Sequence, residues 1–118
     1  FNTCLIAAGG KFSHVTKVRV FLTDISDRSL INPKIFFDAN DQTAPGAPDG
    51  MKVDLNGNIF ATGPGGVLIF DSVGTHLGTI STGEVIANVA WGDDGSMLYL
   101  TSSTSLYRIR LDTKGEIL

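Results

Sequence analysis

Two stretches of this chain repeat one another in register. NIFATGPGGVLIFD, from Asn58 to Asp71, lies over MLYLTSSTSLYRIR, from Met97 to Arg110, and Asp49 and Asn88, Thr62 and Thr101, and Val67 and Leu106 are each 39 residues apart. The glycines of the first turns, Gly57 and Gly95, differ by 38, a one-residue adjustment. More loosely, CLIAA and VRVFLTD occupy the same two strand positions in an earlier copy. A period near 40 built from short strands and turns is the signature of a β-propeller, with one four-stranded antiparallel sheet per repeat. Such a unit cannot bury its apolar face alone, so the period restricts the fold more than any single residue does.

The strand signals agree. Fourteen glycines and recurrent Asn-Gly, Asp-Gly and Gly-Gly pairs punctuate short apolar runs, and helical periodicity is nearly absent. Runs at Thr3–Ala8, Val15–Leu22 and Lys34–Phe37 come first, followed by a polar, proline-containing stretch from Asp38 to Gly50 that reads as a loop. Seven more runs follow, at Met51–Asp54, Asn58–Thr62, Val67–Asp71, Leu77–Ile80, Val85–Trp91, Met97–Thr101 and Leu106–Leu111, and then a polar DTKGEIL end. Residues 1–40 therefore read as an incomplete blade, 41–82 as a complete one and 83–118 as a last blade lacking its closing strand, all within one partial propeller domain. About two and a half blades cannot close a ring, and open strand edges invite pairing with other chains. The expectation is that a missing N-terminal propeller half, or a homo-oligomer, supplies the rest. The opening FNTCLIAA enters an element in its middle and has no signal-peptide pattern. The expected location is cytoplasmic, with a periplasmic one left open by that start.

Composition removes several partner classes. A net charge of −3 and a pI near 5.1 provide no basic footprint for nucleic acid. No apolar run approaches the length of a membrane span. Cys4 stands alone, which excludes a disulfide framework and a cysteine-based metal site and favours a small buried hydrophobe.

Asp49 is the acid most in need of explanation, because it sits in a Pro-Asp-Gly turn directly ahead of a strand, whereas Asp54 and Asp71 read as surface or turn acids. Asp is common in such turns, so a purely turn-shaping role is one reading. The other follows from propeller geometry. The innermost strand of each blade begins near the axis, so residues at its start converge, and a carboxylate there suits Ca²⁺ or a partly open Zn²⁺ site. Asn88 holds the same repeat position one blade later, either lining the channel and bonding substrate hydroxyls or stabilising a turn. DLNGN at Asp54–Asn58 looks like the start of an EF-hand loop, but Ile59 stands where that loop needs its glycine. GPGG at Gly63–Gly66 lacks the Lys-Ser/Thr ending of a phosphate cradle. His14 and His76 read as solvated residues in or beside turns, Ser102–Ser105 as a polar turn, and Trp91 and Phe70 as packing between blades, with sugar stacking a lesser reading for Trp91.

At APDGMKVDLNGNIFATGPGGVLIFD and at ANVAWGDDGSMLYLTSSTSLYRIRL the chain resembles the senescence marker protein / gluconolactonase / luciferin-regenerating enzyme-like family. PDGMKVD, GNIFATGPGGV and TSLYRIRL carry the resemblance, which is close over Pro45–Leu111 and only in outline over Phe1–Phe37. It implies a six-bladed propeller and a metal-dependent sugar-lactone hydrolase of the gluconolactonase type, with a small-molecule sugar lactone as substrate. It also implies one divalent metal, Ca or Zn, held by a glutamate, by an asparagine of an Asn-Gly turn and by the aspartate of PDGM, here Asp49. Asp49 is thus the metal and catalytic candidate and Asn88 the substrate-binding one. The other two ligands have no counterpart in these residues. The alternative is a non-catalytic partial propeller that pairs with itself or with another chain to complete its blades.

Overall fold

The computed structural model describes residues 17–18, 35–39 and 41–117, and every element in them is a strand. The chain divides into two compact units, Phe1–Asp41 and Gln42–Leu118. In the first, β1 (Lys17–Val18) pairs antiparallel with β2 (Phe37–Asp38), so Asp38 closes a strand instead of opening the long loop. The runs at Thr3–Ala8 and, beyond Lys17–Val18, Val15–Leu22 lie outside the described residues, as do Cys4 and His14.

The second unit contains two antiparallel sheets. One orders β3 (Met51–Val53), β4 (Ile59–Gly63), β5 (Gly66–Phe70) and β6 (His76–Ile80) in sequence. The other orders β7 (Ile86–Gly92), β8 (Met97–Ser102) and β9 (Leu106–Arg110). The four-then-three strand count follows the repeat, and β4 and β8, like β5 and β9, are the paired positions of the 39-residue period. Consecutive antiparallel pairing requires a tight turn at every corner, which the glycines and Asx residues supply. Between β4 and β5, Gly63 pairs with Gly66, leaving Pro64-Gly65 as the central residues. Proline presets φ for the first of these, and Gly65 takes a φ of +84°, which a β-carbon would disfavour. Between β5 and β6, Asp71 Oδ1 accepts the backbone N–H groups of Val73 and Thr75. Those bonds lower its pKa, the backbone bond from Thr75 first.

The core lies between the sheets. Phe60 and Val67 from the first sheet pack with Ile86, Val89, Leu98 and Leu100 from the second, and all six are buried. Burying a side chain of this size contributes roughly 1.5–3 kcal/mol. Trp91 joins them edge-on to Phe60, with ring centroids 5.1 Å apart, and donates Nε1–H to the Val53 carbonyl at 3.0 Å. It therefore packs between blades as its sequence position suggests. Phe70 is fully buried.

Three polar features go beyond the sequence reading. Asp54 is a buried acid, 5% exposed. It accepts the backbone N–H groups of Asn56 and Asn58, Asn58 Nδ2 and the Thr113 hydroxyl. Burial pushes its pKa up, but the bonds from Thr113 and Asn58 and then the backbone N–H groups outweigh this, and the net direction is down. The polar end is also an ordered part of the fold. Leu55 N–H reaches Lys114 O, Gly115 bridges Asp54, and Gly115 N–H reaches Gly95 O, so one short segment ties the first sheet's hairpin to the second sheet's turn. Finally, His76 is the exposed first residue of β6, beside the turn at Asp71–Thr75, with its ring 5.4 Å from that of Phe70. No helix among the described residues is long and apolar enough to cross a membrane.

Candidate functional site

Asp49 lies two residues before β3, and its placement is set by backbone bonds from both sheets. Thr62, fully buried in β4, accepts the Asp49 N–H at 3.0 Å and the Gly50 N–H at 2.9 Å through one hydroxyl oxygen. Thr62 returns its own N–H to Gly50 O at 2.9 Å. The Gly50 N–H is shared with Ala87 O of β7 at 3.1 Å, which ties this turn to the neighbouring blade. Gly50 also allows a close approach, since a β-carbon there would overlap Asn88 Oδ1 and come within 2.8 Å of Asn88 Cα. The residue after Asp49 is thus seated directly on Asn88, and the two candidates meet through Gly50.

The Asp49 side chain is exposed, and no donor among the described residues reaches its carboxylate. Its oxygens are hard donors of the kind Ca²⁺ and Zn²⁺ accept, so the residue fits one ligand position. Among the described residues no three His, Cys, Asp or Glu side chains gather into a ligand set. Asn88 lies inside β7 and not ahead of it, with an exposed side chain whose Oδ1 accepts the Val89 N–H at 2.8 Å. Its Nδ2 has no partner among the described residues.

Beside Asn88 is an open hollow of about 270 Å³ lined by Lys52, Asn88, Val89, Ala90, Tyr99 and Thr101. Asp49 does not line it. Thr101 donates to Asn88 O at 3.4 Å, and Tyr99 donates its hydroxyl to Asp93 at 3.2 Å, which fixes the ring along the wall. Sequence reading passed over Thr62, Lys52 and Tyr99. The period does pair Thr62 with Thr101, which marks both as strand positions, but it carries no sign that one bonds the Asp49 turn and the other faces a hollow. Ser102–Ser105 form the expected polar turn, where Glu84 accepts bonds from Thr104 and Ser105. The Thr104 side-chain bond leads the causes that lower the Glu84 pKa.

Antiparallel blades of 39-residue period, with a candidate carboxylate ahead of one innermost strand and a hollow against the next, define part of an all-β propeller. Residues 13–104 match the SMP-30/Gluconolactonase/LRE-like region, and the chain belongs to that family. A gluconolactonase from Zymomonas mobilis is 42% identical over 77 residues, which cover 64% of this chain and 22% of that protein. Among solved structures, a gluconolactonase from Xanthomonas campestris superposes with a TM-score of 0.67 at 28% identity, covering 80% of this chain and 30% of the other. A luciferin-regenerating enzyme superposes with a TM-score of 0.74 at 23% identity, covering 86% and 40%, and shares the fold. The chain thus spans less than half the length of each of these relatives.

Proposed function

We propose that the intact protein hydrolyses a sugar lactone in a metal-dependent reaction, with Asp49 as a metal ligand and Asn88 as a substrate contact. One observation carries this reading: Asp49 presents a carboxylate without a protein partner among the described residues, on backbone pinned by Thr62 and Ala87. An acid that only shaped its turn would be expected to spend its oxygens on nearby N–H groups, as Asp54 and Asp71 do. Similarity to gluconolactonases supports the substrate class.

In the reaction, water adds to the lactone carbonyl carbon, the ring C–O bond breaks, and a proton passes to the departing alkoxide to give a hydroxy acid. A bound divalent cation supplies polarisation of that carbonyl. Asp49 holds the cation, or takes up and returns the proton where its carboxylate faces the ring oxygen. Asn88 orients a sugar hydroxyl through its amide. The test is Asp49→Ala in the intact protein, with Ca²⁺ and Zn²⁺ titrated by calorimetry and D-glucono-1,5-lactone hydrolysis followed by pH-stat. Metal affinity and turnover should both fall by at least a hundredfold, and unchanged metal affinity rules the assignment out.

A second reading, a non-catalytic partial propeller that pairs with a second copy, is favoured by β9. It is paired on one side only among the described residues, and its Leu106 is 68% exposed. Light scattering separates the two, because a monodisperse monomer of this chain opposes self-pairing.

A further inference from the structure

We infer that the hollow beside Asn88 binds the carboxylate of a ring-opened sugar acid, with Lys52 as its counter-charge. The inference rests on the lactonase reading and adds to it the recognition of an anion. Of the six lining residues only Lys52 is charged, and no acid lines the wall. Lys52 is exposed on β3 and has no ion-pair partner among the described residues, unlike Lys114, which pairs with Asp94 at 3.1 Å. Arg108, the direct cross-strand partner of Tyr99, leaves the same face of the sheet but does not line the hollow, so Lys52 is the one cation on its wall. The unpartnered Nδ2 of Asn88 offers a donor, and the Thr101 and Tyr99 oxygens keep lone pairs for ligand hydroxyls. Val89, Ala90 and the Tyr99 ring provide the apolar remainder. At about 270 Å³ the hollow lies just below the usual range of ligand pockets, roughly 300–1,000 Å³, which suits one sugar unit and not a chain of them.

Charge is what separates the two ends of the proposed reaction. A lactone and its hydroxy acid share their hydroxyls, but only the acid carries a full negative charge. A lone cation among neutral donors therefore selects the open form, or a lactone bearing an acidic substituent. Lys52 acts on ligand preference, and bond breaking remains with the Asp49 region.

The experiment compares D-gluconate with neutral D-gluconamide, by calorimetry on the intact protein at low and high salt. The expected result is a fivefold to tenfold preference for gluconate that shrinks as salt rises. Lys52→Met should erase the preference, and Lys52→Arg should keep most of it. Equal binding of the two probes by the unaltered protein, or a preference that survives Lys52→Met, overturns the inference. The unaltered protein's preference and its salt dependence serve as the readout even where Lys52→Met does not fold. Loss of lactone hydrolysis alone would defeat the proposed reaction and leave the anion site standing.

Discussion

Thr62 Oγ1 accepts the backbone N–H groups of two successive residues, Asp49 at 3.0 Å and Gly50 at 2.9 Å, from a side chain with no solvent exposure. One hydroxyl thus fixes both peptide planes on either side of the Asp49 α-carbon, and with them the direction in which the carboxylate leaves the backbone. Thr62→Val keeps the shape and removes the acceptor. The Gly50 N–H keeps Ala87 O, but the part-buried Asp49 N–H loses its acceptor. An unmade donor of this kind costs about 1–3 kcal/mol, so denaturant unfolding should show a loss towards the lower end of that range, and Thr62→Ser should recover most of it. Where the intact protein binds Ca²⁺ through Asp49, Thr62→Val should weaken that binding as well.

Gly50→Ala forces a β-carbon into Asn88. Because backbone and not only a flexible side chain is in the way, the sheets must separate at this point. A loss of about 2 kcal/mol or more is expected from such overpacking, together with weaker protection of the Ala87-bonded amide in hydrogen exchange. Wild-type stability in this variant would show that the close approach is dispensable.

Asp54 makes the fold sensitive to acid. Its pKa is lowered from 3.8 in the folded state, so the stability it contributes is complete above about pH 4 and is lost as pH falls through the lower folded value. Asp54→Asn places an amide among four donors and should destabilise the protein by about 1–3 kcal/mol at neutral pH. The variant should also show a flatter decline of stability as pH falls below about 4. An acid profile parallel to that of the unaltered protein would assign the sensitivity elsewhere.

Gly115 lies against the Trp91 ring, where a β-carbon would overlap the indole. Gly115→Ala should lift the end segment, break the bonds to Asp54 and Gly95, and expose the indole. Tryptophan emission shifts to the red in that case, and the melting temperature falls. Emission identical to that of the unaltered protein would place the segment's contribution outside Trp91.

The repeat was legible because propeller blades impose it locally. Each strand needs alternating apolar positions, and each corner needs residues such as Pro64-Gly65 or Asn56-Gly57, which are written in adjacent letters. Trp91 could be placed between blades for the same reason. The turn role of Asp54 was legible, but its burial was not, because that depends on Thr113, which is 59 residues away and in a stretch whose letters read as polar. His76 lies beside a turn and exposed, as its position suggests, but one extra residue of pairing with Phe70, at a shift in register, makes it the first residue of β6.

The sequence by itself determined the period, the turn positions, the all-β class and the singling out of Asp49 ahead of an inner strand. These depend on short-range sterics and on which residues can face a core. Only the tertiary structure decided that Thr62 and Ala87 hold the Asp49 turn and that Gly50 rests on Asn88. It also decided that Lys52 stands without an acidic partner, among the described residues, on the wall of a hollow. These relationships arise where two blades meet. The spacing between blades is set by how Phe60, Val67, Val89 and Leu98 fill the space between them, and no local pattern encodes that fit.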